Sequence, residues 1–405
     1  MKLGTEGYSP AIVAKIEYAG ANHGSFAQAS RSLGRLAEMS ISAMHVQRIT
    51  ERLGRERAQE RDRQVEQFQA GECQPAYGQA PAVAAVHVDA GKAQCRQEQC
   101  GPGVHGRHWS DDKVACLVTY APNPTPGQDP RPEPPKAFLD RPAVLRLCQE
   151  IRQVRGDPTT AATAPRPTRV PEIPPPKADG PKVLVRTAVA TMQPVEAFGW
   201  MVAAEAMRRG FYEAAVRAVL GDGGNWIVPL AHMHFDGWIQ VLDFIHLLTH
   251  LYAAATAAYR GRPPQAWACY RQWLRWAWTG GTKDLMASMN EQADRLGPAP
   301  AGASDDDPRR IVALTCRYLA DNAERMDYPA YRRAGLPVTS AAVESLIKQF
   351  NQRLKGTEKF WLRGGAEAVL QSRAAYLSDD GRAEDFFARR PRGPAVGQNR
   401  RRLVA

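Results

Sequence analysis

Three acidic residues sit where an apolar run stops or a helix starts. Asp222 follows the strand pattern Ala215–Leu220 and stands between Gly221 and Gly223, and Asp89 ends the apolar run Val83–Val88, ahead of Ala90 and Gly91. Glu344 lies in the helical pattern Ala341–Leu354. A carboxylate at the mouth of a sheet is costly, because burial raises its pKa unless a cation compensates, and flanking glycines let backbone or ligand approach. Three such groups gathered together repel, and no core collects them without cations. Two divalent ions about 3.5–4 Å apart would neutralise them, polarise a phosphate and deprotonate a water or hydroxyl. Mg2+ suits such a site, since it takes a few carboxylates and keeps its other positions for water and phosphate, and Mn2+ accepts the same oxygen donors. Taken alone, Asp222 has a turn former as its weaker alternative reading, and composition does not make the three meet.

The elements that must position them read as follows. Residues 1–72 form an N-terminal helical unit with apolar spacing at Ile12, Val13, Ile16 and Ala19, a helix Phe26–Ala37 capped by Ser25, and a helix from Ser42 to Leu53. Arg55–Gln67 continues as a charged, solvated helix. Two short helices with a tight joint, the second bearing Ser42, His45, Gln47, Arg48 and Arg52, suit a helix-turn-helix that reads DNA and suit a plain helical bundle equally. From residue 81 to 259 the pattern turns to α/β: strands at Val83–Val88, Lys113–Tyr120, Val183–Met192, Ala215–Leu220 and Trp238–Leu242, with helices Ala143–Val154 and Val195–Arg209 between them. The last strand runs into a helix carrying Asp243 and His246 on one face.

Proline-rich stretches at 121–142 and 156–182 hold sixteen of the 31 prolines and read as unpacked insertions or linkers. Residues 260–336 are helical, and Trp267, Trp273, Trp276 and Trp278 there fit a helical core better than a base-stacking surface. Asp307 before Pro308 marks a helix start, and Thr339 or Ser340 caps the helix that carries Glu344, Lys348, Arg353 and Lys355. The segment 337–380 holds two helices, and 381–405 is a basic tail expected to be disordered.

The formal charge of +11 and pI near 9.4 favour a polyanionic partner, nucleic acid before anionic membrane. No apolar leader opens the chain and no run of eighteen apolar residues occurs, so a soluble, cytoplasmic and nucleoid-associated protein is expected, with no membrane partner. The seven cysteines lack a C-x-x-C pair and read as free thiols; Cys95 and Cys100 with His105 and His108 are a weaker zinc candidate.

Five stretches then carry a resemblance: V-H-V-D-A-G-K at 86–92, H-W-S-D-D-K-V-A-C-L at 108–117, V-L-G-D-G-G-N-W-I at 219–227, V-L-D-F-I-H-L-L-T-H-L at 241–251 and V-E-S-L-I-K-Q-F-N-Q-R-L-K-G at 343–356. In this order they resemble the DDE transposases of bacterial insertion sequences of the Kra type (ISKra), distant relatives of the Mutator-like enzymes. The resemblance covers most of 15–375 outside the proline-rich stretches. It implies an RNase H-like mixed-sheet catalytic core with a large all-helical insertion, behind an N-terminal helical domain. It implies Asp89, Asp222 and Glu344 as catalytic residues and ligands of Mg2+ or Mn2+. Asp243-x-x-His246 matches the (Cys/Asp)-x-x-His element of the Mutator-like enzymes, where His246 would contact DNA or the scissile phosphate, or order the site; a structural histidine is the other reading. Lys348, Arg353, Lys355 and Trp361 would line transposon-end DNA, with Gln47 and Arg48 as further DNA contacts. The match begins almost at residue 1, where many relatives carry an extra segment, so a shortened copy is one reading. The alanine at 90 and the long proline-rich stretches also depart from the pattern.

The activity so implied is metal-dependent phosphodiester hydrolysis and strand transfer at insertion-sequence ends. The resemblance also implies terminal inverted repeats and target DNA as partners, and a homo-oligomer on DNA. Its rivals are a domesticated or decayed DNA-binding protein that does not cut, and an RNase H-like nuclease acting on hybrids or junctions.

Overall fold

Alternating apolar residues build a five-stranded mixed sheet in the computed structural model, which describes residues 8–76, 79–101, 103, 105–106, 108–155, 180–356 and 359–390. The strands are β1 (Val83–Gln94), β2 (Trp109–Tyr120), β3 (Val183–Thr191), β4 (Val216–Gly221) and β5 (Ile239–Leu242), in the order β3-β2-β1-β4-β5. β1, β2 and β3 pair antiparallel, whereas β4 runs parallel to β1 and β5 parallel to β4. Between them the protein is an α/β fold. β1 passes beyond Asp89, where the apolar run ends, because β2 pairs with it as far as Gln94–Trp109 while the parallel partner β4 stops at His87–Leu220. The backbone bonds of a long hairpin thus carry a polar stretch that hydrophobicity alone would not mark as strand.

The helices are α1 (Pro10–Asn22), α2 (Phe26–Ala37), α3 (Ala43–Gln69), α4 (Arg141–Arg155), α5 (Val195–Arg208), α6 (Ile227–His234), α7 (Phe244–Ala258), α8 (Pro263–Thr279), α9 (Thr282–Leu296), α10 (Pro308–Asn322), α11 (Tyr328–Arg333), α12 (Ala341–Leu354), α13 (Arg363–Tyr376) and α14 (Arg382–Ala388). None of them is long and apolar enough to cross a membrane. The period-2 alternation of each strand gives the sheet two buried faces. Ala84, Val86, Val88, Leu117 and Val219 pack on Phe198 and Val202 of α5 and on Ile227 and Leu230 of α6. Val83, Ala85, Val114, Cys116, Ala218 and Leu220 belong to the larger core with α7, α8 and α12, in which Trp273 and Trp278 are buried, as a helical-core reading requires.

Serines 9, 25 and 42 accept the Ile12, Gln28 and His45 amide protons and so start α1, α2 and α3. α3 is one unbroken helix, and the N-terminal helices lie against α13 and α14. Glu17 and Arg57, both buried, form a double hydrogen bond at 2.9 Å, and Ser372 and Tyr376 of α13 also donate to Glu17. Gly54 is where α3 and α13 touch: a Cβ there would lie 1.9 Å from the Ala368 carbonyl oxygen.

Two expectations need correction. The stretch 121–142 has little regular structure, yet it is packed. Thr125 N–H donates to Arg333, the buried Arg332 guanidinium pairs with Asp129, Tyr270 donates to the Phe138 carbonyl at 3.0 Å, and the Phe138 ring stacks on Phe244. Its prolines keep residues 121–135 out of helix and strand, and side chains of α8 and α11 meet the polar groups of the stretch. The tail is ordered through α14, where Arg382 bonds Glu205 and Asp380 and the Phe386 ring lies under Arg57. Residues 391–405 and 156–179 lie outside the described residues.

Candidate functional site

The parallel strands β1, β4 and β5 deliver acidic side chains to one edge of the sheet. The register His87–Leu220 carries Asp89 and Asp222 out side by side, and the Asp243 amide donates to the Gly221 carbonyl at 2.9 Å. Alternation turns Asp89 and Asp222 toward the face of Ala85 and Leu220, the face on which α12 lies against β1 and β2. Asp89 is buried and Asp222 partly so. An Asp89 oxygen accepts the Ala90 amide proton at 2.7 Å, and Asp222 Oδ1 accepts that of Gly224 at 2.9 Å. Gly223 turns the chain at φ 85°, where a Cβ would strike the Tyr318 ring at 2.7 Å.

Glu344, in the first turn of α12, closes a tight group with Asp243 and His246. One oxygen or nitrogen from each lies within 4.8 Å of the others, the single such group of three found among the described residues. Asp89 and Asp222 are not part of it. Asp243 is the N-cap of α7 and fully buried. Its Oδ2 accepts the His246 amide at 2.9 Å and His246 Nδ1 at 2.6 Å, so Nδ1 carries the proton; its Oδ1 accepts the Ser340 amide at 2.6 Å. Ser340 Oγ in turn donates to Glu344 Oε1 at 2.8 Å.

The electrostatics follow from these contacts. Burial works to raise the Asp243 carboxyl, but the His246 and Ser340 donors hold it below the usual carboxylate range. Glu344 is pushed up by burial and then by the Asp243 charge, with His246, the Ser340 hydroxyl and last Lys348 pulling the other way. Beneath them the buried His87 imidazole, bonded to the Tyr120 hydroxyl at 2.9 Å, is driven down to about 4 by desolvation and is neutral. Asp243 already accepts three N–H groups, so in this arrangement it orients His246 and Ser340 and has little left for an ion. Glu344 is the one residue shared by this group and the expected set of three acids.

The other expected contacts divide by exposure. Gln47 and Arg48 are exposed on α3, and Lys348 is exposed and paired with Glu150 at 2.8 Å. Arg353 does not face solvent: it is buried, donates to the Gly20 carbonyl at 2.9 Å and stacks on Phe26 and Trp361, so it ties α12 to the N-terminal helices instead of lining DNA. Trp361 is half-buried and spends its indole N–H on the Leu354 carbonyl, which makes it a packing residue too. His246 is buried and held by Asp243, which favours ordering the site over touching nucleic acid. Lys355 is half-buried, and burial lowers its pKa against the pull of Asp112. Cys95, Cys100, His105 and His108 form no ligand cluster; His105 Nε2 meets the Gly101 carbonyl instead.

Two residues of this region escape a motif-based reading. Ser340 links Asp243 to Glu344; its place before the helix marked it only as a cap, yet its hydroxyl caps no amide and donates to Glu344 instead. Asp112 is fully buried with neither carboxylate oxygen hydrogen-bonded to another residue, and burial raises it to about 6 with the Lys355 charge opposing. Its even-numbered register with Val114, Cys116 and Val118 was a visible sign that it points inward. No family model and no curated protein matches this chain.

Proposed function

We propose that this protein is a DDE-type DNA transposase, a metal-dependent polynucleotidyl transferase with an RNase H-like core. The observation that carries the reading is the pairing of Asp89 and Asp222 at the ends of adjacent parallel strands, on the sheet face against which the helix of Glu344 is packed. The strand order β3-β2-β1-β4-β5, with its antiparallel and parallel halves, is what an RNase H-like core calls for, and α8–α11 stand where the resemblance places a helical insertion. The charge of +11 suits a nucleic-acid polyanion.

The donor set fits Mg2+ or Mn2+, being oxygen-only at Asp89, Asp222 and Glu344. These three residues would hold the ions, which supply charge stabilisation at phosphorus and an activated water or 3′-hydroxyl. The chain's own contributions are positional. The Gly224 amide and the Tyr318 hydroxyl, which donates to the Asp222 carbonyl at 3.0 Å, fix the β4 end. Ser340 and the Asp243–His246 pair fix the first turn of α12, and Lys348 brings a cation to the same helix one turn beyond Glu344.

The test is purified protein with Mg2+, labelled DNA carrying the inverted repeats that flank the reading frame, and a target plasmid. Cleavage and joining are expected, and Asp89→Asn, Asp222→Asn or Glu344→Gln should abolish both while a mobility shift persists. A shift without any cut would assign the protein to non-cutting DNA-binding proteins, and cleavage of hybrids without joining would make it a nuclease.

A further inference from the structure

Asp112 is a buried carboxylate whose two oxygens accept no hydrogen bond from any other residue, a costly state unless an ion or proton relieves it. Its position gives it a use. In the β1–β2 hairpin Asp89 pairs with Val114 and Gly91 with Asp112, so Asp89 and Asp112 are diagonal neighbours on one face. Such neighbours have Cα atoms roughly 7–8 Å apart, within the span of two carboxylates that share a cation. Gly91 leaves the space: a Cβ there would lie 2.8 Å and 2.9 Å from the two Asp112 oxygens. The Asp112 carboxylate therefore leans across the β1 backbone, on the side of the sheet that holds Asp89.

We propose that Asp112 is a fourth carboxylate of the metal centre, the ligand that with Asp89 holds a second divalent cation, while Lys355 supplies counter-charge in the cation's absence. The assignment rests on the metal-centre reading of Asp89, Asp222 and Glu344. Asp89 is then the bridging acid, with Asp222 and Glu344 to one side and Asp112 to the other. Gly91 is required because any larger residue fills the gap over which the carboxylate lies.

The experiment is a titration of the full-length protein with Mn2+ alone, read by calorimetry and by electron paramagnetic resonance of free Mn2+. Wild type should bind two ions. Asp112→Asn keeps the shape and deletes a buried carboxylate that no neighbouring donor meets, so its metal-free melting temperature should be unchanged or higher. It should lose one ion or bind it at least tenfold more weakly. Gly91→Ala, which displaces the carboxylate without removing it, should weaken the same ion, and Asp89→Asn should weaken both. Two ions bound by Asp112→Asn as tightly as by wild type would overturn the role of Asp112 and leave the centre of three acids standing, provided that Asp89→Asn still loses them. A wild-type protein that binds no Mn2+ would overturn the centre and Asp112's part in it together.

Discussion

Asp243→Asn separates a positioning role from a metal-binding one, and its cost can be worked from the contacts. The carboxylate takes two donors on Oδ2, the His246 amide and Nδ1, and one on Oδ1, the Ser340 amide, and it is fully buried. An asparagine has one acceptor oxygen. Oriented to keep the two His246 donors, it turns its NH2 toward the Ser340 amide, so two donors face each other without an acceptor. A buried unsatisfied donor costs about 1–3 kcal/mol, and loss of charge weakens the bonds that remain, so about 2–4 kcal/mol of stability should go. Helix capping accounts for little of this, since asparagine is itself a good N-cap. Asp243→Ala, which also strands His246, should cost about 3–5 kcal/mol. Urea denaturation followed by far-ultraviolet circular dichroism and by tryptophan fluorescence measures both. The pH dependence has a fixed sign. The folded carboxyl lies below its unfolded value, so its contribution is fully present above about pH 4 and fades as pH falls through the lower folded value. The gap between wild type and Asp243→Asn should close as pH falls below 4, where the folded carboxyl takes up its proton. A loss under 1 kcal/mol for both variants, or a gap that persists undiminished below pH 4, would refute the hydrogen-bonded frame described for this site.

Gly54→Ala places a methyl 1.9 Å from the Ala368 carbonyl oxygen, which is rigid helix backbone, so α3 and α13 must separate; a loss of about 1–3 kcal/mol in the same denaturation assay is expected. With divalent ions chelated, Asp112 should show the opposite pH behaviour to Asp243. Held at about 6 against an ordinary 3.8, it is about 3 kcal/mol harder to ionise, and that penalty grows as pH rises from 4 to 6. Asp112→Asn should therefore gain on wild type across that window by up to about 3 kcal/mol in melting experiments with EDTA. In anisotropy titrations with DNA at several salt concentrations, Arg48→Ala should lower the salt slope by about one, as loss of an exposed phosphate contact does. Arg353→Ala should leave the slope alone and lower the melting temperature, because its guanidinium is spent on the Gly20 carbonyl and two aromatic rings.

What the sequence made legible was local. The strand before Asp222, the helix beginning after Ser340 and the Ser25 cap of α2 follow from alternation, helical spacing and capping chemistry, which act over a few residues. The region of Asp89 was half legible. Its apolar run gave the strand, but the continuation to Gln94 depends on β2, a partner set by the chain's return and not by its own residues. Arg353 and Trp361 misled for the same reason: a basic and an aromatic residue after Glu344 suit DNA in sequence, and only the docking of the N-terminal helices uses them up. The tight group of Asp243, His246 and Glu344 needed tertiary information as well, since the spacing Asp-x-x-His announces a pair without saying which acid, from a helix a hundred positions on, comes to meet it.

How that distant helix arrives is visible in the tyrosines of α10 and α11. β5 is an edge strand, and the chain ends around it would leave carbonyl groups without partners. Tyr318 of α10 donates to Asp222, Tyr328 of α11 to Leu242 at 3.1 Å and Tyr331 to Gln240 at 3.1 Å. Three hydroxyls from α10 and α11 thus hold the open side of β5 and the end of β4. The chain then leaves α11 beside that edge, where the Phe244 amide bonds the Val338 carbonyl at 3.0 Å and the Ser340 amide reaches Asp243. Glu344 follows one turn later. The helices between Asp222 and Glu344 therefore do more than lengthen the connection. They cover the sheet edge, and by covering it they fix where α12 must start, which is what brings its glutamate to Asp243 and His246.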